Sequence, residues 1–359
     1  MKNKMIKFLL DSANPSIKRR IKSEILHSIT KDEAAKYQSQ ILQEPNIQRT
    51  IACQKENGWI GNGFHGTNRN AGQFENMETC TKYLGEKAVD KDTPVLKHAM
   101  DAFITIPLDD ICYETRGKFI DEFKTTGHGH NLIRCACIAR AGYDDVIDIS
   151  PQIQLSLDSF RRVLEVDSVL DVSHPIRNGK SRVFNDYEKW PCRYHLDILS
   201  HTNSWKTDDN IKMIADSISK MMKTDSPDLI NMIPSSWVGY ELGSLGGFPS
   251  QGLSVKTPGL YPSPIAFPSS KPNLYNLEYI EWLARCGVVK HIPALREAVN
   301  DIMNAVDNDG VCRSPVVDTI FKNWGPYAGL QLETDWKSKV RKYCDITFRA
   351  LLILHYSIE

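Results

Sequence analysis

The chain has 359 residues, 41% hydrophobic and 25% charged, with Lys+Arg and Asp+Glu equal at 44 each. That length fits one large or two ordinary domains, and the mix is that of a soluble globular protein. The even balance excludes a bulk field that would draw nucleic acid or an anionic membrane surface, and no apolar run approaches the roughly 20 residues of a membrane-spanning helix. The basic start, Met1 to Lys4, precedes an apolar piece of only Ile6 to Leu10 with Lys7 inside it, too short for a secretory core. Nine Cys without a regular framework point to reduced thiols, and so to a cytoplasmic protein.

Taken in order, the chain reads as one helix after another. Asn14-Pro15 is a helix start, a capping side chain followed by Pro at the first helical position. Ile17, Ile21, Ile25 and Ile29 then recur at four-residue steps along one face, with the basic run Lys18-Arg19-Arg20 expected on the solvated side. Thr30-x-x-Glu33 is a capping-box pattern that opens the next helix, running through Ile41-Leu42. Pro45 resets the chain, and a short helix carries Ile47 and Ile51 into the stretch Thr50–Gly66. There Asn57-Gly58 stops the helix, because Gly takes a left-handed conformation cheaply. Trp59 anchors the turn and a Gly-rich loop with His65 follows.

Further helices are expected with Phe74, Met77 and Leu84, ending near Gly85 to Val89, from Thr93-Pro94 through Phe103, over Asn131 to Ala141 before Gly142, and from Ser150-Pro151 with Ile153, Leu157, Phe160 and Leu164 on a face. Others start at Trp190-Pro191 and at Thr207-Asp208, and the last three cover about 274–285, 293–306 and 335–356. No convincing alternating strand appears, so the fold class is all-α, built from helix pairs. The exception is 233–272, rich in Gly, Pro and Ser, which is longer than ordinary loops and reads as a lid over a site, a wandering surface connection or a domain boundary. Similar helices flank it, so a single large domain is favoured, with 1–44 as an N-terminal helical extension.

The end of the Thr50–Gly66 helix, Gln54-x-x-x-Gly58-Trp59, has a weaker echo at Asp307-Asn308-Asp309-Gly310. A Gln-x-x-x-Gly-Trp ending repeated within an all-helical chain resembles the squalene-cyclase and protein-prenyltransferase superfamily. That resemblance implies an α/α toroid around a central cavity and a small-molecule, terpenoid-like or other lipid-like substrate. The superfamily's Asp-x-Asp-Asp proton donor and its Asp-x-Cys zinc set have no counterpart here, so no catalytic residue is carried over. The Asn-Pro-Ser start is similar to a HEAT-type helical repeat.

Four constellations could carry chemistry. His128 and His130, followed by Cys135 and Cys137, offer groups that zinc prefers, at a spacing that fits no established motif; no cofactor is expected, and zinc is the one the pattern would admit. Trp190-Pro191-Cys192-Arg193-Tyr194-His195, continuing to Asp197, His201 and Trp205, is the densest mixture of aromatic and imidazole groups. Asp197 and His201 are four apart and able to pair, and a His oriented by a carboxylate is a usable general base. The loop Gly61–Gly66 lets a backbone approach a ligand beside His65. Asp345 interrupts an apolar face on the last helix and would need a partner such as Arg341 or Arg349. His65, His195 and Asp345 are therefore the candidate catalytic residues, and Trp59, Trp190, Tyr194 and Trp237 the candidate ligand-lining ones. Two other readings stand beside the enzyme: a helical scaffold or ligand-binding protein, and a carbohydrate-active α/α barrel that needs two facing carboxylates.

Overall fold

The computed structural model describes residues 1–64, 74–107, 125, 127, 129–167, 171–176, 181–185, 187–222, 231–233, 274–313 and 331–358. Its elements are α1 (Lys2–Ser12), α2 (Pro15–Arg20) continued by a π-turn (Ile21–Ile25), α3 (Lys31–Leu42), α4 (Pro45–Ala52), α5 (Met77–Glu86), α6 (Pro94–Thr105), α7 (His130–Arg140) and α8 (Ser150–Glu165). Two short strands follow, β1 (Ser173–Ile176) and β2 (Ser181–Phe184), then α9 (Arg193–His201), α10 (Asp208–Met222) and β3 (Asn231–Ile233). The chain closes with α11 (Leu274–Arg285), a 3₁₀ turn (Val289–His291), α12 (Pro293–Asn304) and α13 (Lys339–Ile358). Helix is the dominant class, as the periodicity predicts. Among the described residues, no helix is long and apolar enough to cross a membrane.

The caps form as read. Asn14 Oδ1 accepts from Ile17 N at 3.0 Å, with Pro15 in the first turn. Thr30 Oγ1 accepts from Glu33 N, and the Glu33 carboxylate accepts from Thr30 N, both at 3.2 Å. Each such cap stabilises its helix by about 1 kcal/mol.

The Gln54–Gly58 turn and its echo share one geometry. Gly58 N donates to Lys55 O, Lys55 N to Trp59 O, and Gly61 N to Cys53 O. Gly310 N donates to Asp307 O, Asp307 N to Val311 O, and Arg313 N to Ala305 O. Both glycines have φ +83°.

Four expectations are corrected. Ile29 does not extend the face of Ile17, Ile21 and Ile25, because the chain leaves the helix at His27, whose φ is 48°. Arg19 and Arg20 do not lie on a solvated face but are buried, held by carboxylates from elsewhere in the chain. Lys2–Ser12 is a helix that the reading passed over. A small sheet exists, β1 antiparallel and β3 parallel to β2. All but the first residue of 233–272, Trp237 included, lies outside the described residues.

Alternate helices pack side by side. Helix α5 lies on α7, α7 on α9, α9 on α11, α11 on α13, α13 on α1, and α1 on α2. Ser16 Oγ on α2 donates to Lys87 O just past α5, at 2.7 Å, so the succession is tied back to its start. Helix α6 packs on α5, α8 on both α9 and α10, and α12 on α13.

Candidate functional site

The faces that these alternate helices turn toward one another are charged. Glu78, Lys82 and Glu86 stand at four-residue steps on α5, as do Arg193, Asp197 and His201 on α9. Helix α11 adds Glu278, Glu281 and Arg285, α7 adds Arg140, α13 adds Arg349, and the α2 region adds Arg20 and Glu24. These groups join into one network. Lys82 reaches Glu78 at 3.1 Å and Asp197 at 3.0 Å. Asp197 holds Arg140 at 2.7 Å, Arg140 holds Glu278 at 3.1 Å, and Glu278 holds Arg193 at 3.2 Å. From Glu86 the links run to Arg20 at 2.7 Å and to Arg349 at 2.9 Å. Arg20 pairs with Glu24 at 2.9 Å, Glu24 with Arg285 at 2.5 Å, Arg285 with Glu281 at 2.8 Å, and Glu281 with Arg349 at 2.6 Å.

Carboxylates and cations pair one for one in this network. Balance is required, since an unpaired ion buried in a protein costs several kcal/mol. Burial pushes the Glu86 carboxyl up, but Arg349, Arg20 and Arg140 outweigh it and hold the group far below its usual range. Burial likewise opposes ionisation of Asp197, and Arg140 and Lys82 overcome it. Glu24 is held well below the usual range by Arg20 and Arg285 against the same penalty.

At one end the network opens into a cleft of about 320 Å³. Its walls are the last turns of successive helices: Glu24 after α2, Glu86 ending α5, Arg140 ending α7, His201 ending α9, Arg285 ending α11 and Tyr356 on α13, with Lys206 from the segment after α9. Helix C-termini carry partial negative charge, which favours the cations gathered there. Several of these ends are closed by left-handed residues. Ala88 has φ 54°, Gly142 φ 69° and Gly287 φ 76°, and Val89, Tyr143 and Val288 donate back to Leu84, Ile138 and Leu283.

His201 is the imidazole that lines the cleft. Its Nδ1 faces acceptors, Asp197 O at 2.8 Å and Asp197 Oδ1 at 3.1 Å. The neutral ring therefore carries its proton on Nδ1, and Nε2 is the basic nitrogen. The Asp197–His201 pairing expected from the four-residue spacing is present.

The other sequence-selected residues lie elsewhere. His195 is fully buried; its Nδ1 accepts from Cys192 N at 2.9 Å and its Nε2 lies 3.1 Å from Gly127 O, so both ring nitrogens are engaged with backbone. Tyr194 donates to Glu78 at 2.7 Å inside the network. Trp190 stacks on Phe184, and Trp59 packs against Phe64 and Phe103. None of these four lines the cleft. Asp345 is buried, but its partners are neither Arg341 nor Arg349: it accepts from Leu332 N at 2.7 Å, Glu333 N at 3.1 Å and Trp336 Nε1 at 2.5 Å. Arg341 pairs with Asp335 instead. His65, His128 and Trp237 lie outside the described residues, and His130 starts α7 against Phe64. Among the described residues no group of three or more His, Cys, Asp or Glu could hold a metal ion.

Sequence reading passed over Arg20, Glu24, Glu86, Arg140, Lys206 and Arg285. The available signal was charge recurring at helical steps within apolar helices, as in Glu78-x-x-x-Lys82-x-x-x-Glu86. No family model, curated protein or solved structure matches the chain.

Proposed function

We propose that the chain is an α/α toroid that binds a small, polar molecule in the cleft at the C-terminal ends of its inner helices, and that His201 exchanges a proton with it. The toroid reading rests on the succession of packed helices α5, α7, α9, α11, α13, α1 and α2, tied back to the end of α5, with α6, α8 and α12 each packed on one of its members. The observation that carries the function is His201: a carboxylate orients the ring from the Nδ1 side, and the ring lines an accessible cleft. Polar walls favour a hydrophilic ligand over a terpenoid-like one. Glycoside chemistry draws no support from Glu24 and Glu86, since a general acid needs a raised pKa and arginines hold both low.

A scaffold role is the second reading, favoured by the ion pairs that occupy the space between the inner helices. A thermal-shift screen of polar metabolites separates the two. Ser23 lines the cleft, so Ser23→Trp narrows it. The binding reading predicts compounds that raise the Tm of the unaltered protein and not of Ser23→Trp. If every compound acts alike on both, the scaffold reading wins. For a compound that binds, His201→Ala should keep binding and stop its conversion.

A further inference from the structure

We infer that the ligand of this cleft carries an oxyanion, a carboxylate or a phosphate, received by Lys206 and by the unpartnered Nη1 of Arg140. The inference rests on the cleft reading above and adds the charge of the ligand.

Every cation of the buried network has a carboxylate within 3.2 Å, and Lys206 has none among the described residues. Its Nζ donates to Asn203 Oδ1 at 2.7 Å, a neutral partner. The side chain is half-buried, lines the cleft, and has the Arg285 cation close enough to act on it. Burial, joined by Arg285, outweighs the opposing effect of Cys286 and disfavours the charged amine, so its pKa is lowered. An anion placed beside it removes that penalty.

Arg140 supplies the second observation. Its side chain is 1% exposed, and Nε and Nη2 are bound to Asp197 and Glu278. Nη1 has no hydrogen-bond partner among the described residues. The Glu86 Oε1 stands 3.7 Å from it, beyond hydrogen-bond range. A buried guanidinium nitrogen left without an acceptor costs on the order of 1–3 kcal/mol, which a ligand oxygen offsets on binding.

Two features act against an anion: the Glu86 carboxylate near Nη1, and the negative ends of the helices. The first is already neutralised by Arg20 and Arg349. The second is reduced where Ala88, Gly142 and Gly287 close the helix ends and bind their last carbonyls. Lys206 remains as the surplus charge.

Isothermal titration of the full chain with inorganic phosphate, succinate and the neutral polyol mannitol tests this. Saturable binding of phosphate or succinate is expected, weakened roughly tenfold or more in Lys206→Met, kept in Lys206→Arg and lost in Ser23→Trp. Phosphate binding would point to a phosphorylated ligand and succinate binding to a carboxylic one. Equal anion affinity in the unaltered protein and Lys206→Met overturns the inference, as does loss in Lys206→Arg. Binding of mannitol alone overturns the charge assignment and leaves the cleft reading standing. If no probe binds and the metabolite screen also fails to separate Ser23→Trp, both fall.

Discussion

Arg349 joins Glu86 to Glu281, donating to the first at 2.9 Å and to the second at 2.6 Å. It is 2% exposed, so neither carboxylate would gain water in its place. Arg349→Met should therefore leave two buried acids short of a partner and cost about 3–5 kcal/mol, far more than an ordinary surface change. Chemical denaturation measures it. A loss under about 1 kcal/mol would mean that water or Arg20 already screens those carboxylates.

His195 has a capping role in this structure, not a cleft role. Replacing it with Ala removes the acceptor for Cys192 N and the partner of Gly127 O. A stability loss of about 1–3 kcal/mol is expected, with affinity for any cleft ligand unchanged. A His195→Ala protein of full stability that fails to bind would reverse that assignment.

Glu333 and Asp345 set a pH dependence of unusual sign. Burial raises both carboxyls, each to about 7, and the Asp345 charge adds to the effect on Glu333. The folded chain keeps protons here that the unfolded chain has released. Stability from this pair is complete below the unfolded carboxyl range and declines as pH rises toward about 7. The arginine-bound acids Glu24, Glu86 and Asp197 act oppositely, and their contribution is lost only as pH falls below the carboxylate range. Tm should thus peak in mild acid and fall toward neutrality, and Glu333→Gln should flatten the fall, recovering up to about 3 kcal/mol at pH 8. A flat Tm for the unaltered protein between pH 5 and about 8 would refute the pairing.

Gly58 and Gly310 occupy matching turns, and each backs onto another helix. A Cβ at Gly58 would fall on His98 O of α6, and one at Gly310 on the backbone of Lys4 and Met5 in α1. Either Gly→Ala change should cost at least about 1–2 kcal/mol from the left-handed backbone, and more from the contact. Gly142→Ala serves as a control: it has a similar φ, but its Cβ would meet only Lys91 Cε at 3.5 Å. Equal Tm losses at all three positions would show that the close approach contributes nothing.

Much of the local structure could be read without coordinates. Thr30 and Glu33 closed their box, Gly142 stopped α7, and Leu274–Arg285 was bounded correctly. The Asp197–His201 pair followed from its spacing. The candidate site was a different matter. His195 and His201 look alike in the sequence, yet one is buried against backbone and the other lines the cleft. Lys18-Arg19-Arg20 reads as a solvated run, and two of its three members are buried.

The sequence by itself determined several helix limits, those of α3, α6 and α11 among them, because a cap, a turn glycine and an apolar stripe act over three or four residues. Only the tertiary structure decided which charges are interior. An arginine such as Arg140 can be buried only when Asp197 and Glu278, distant in the chain, arrive on neighbouring helices to neutralise it. That condition is set by how helices pack; charge recurring at helical steps marks the candidates in the sequence but not their partners.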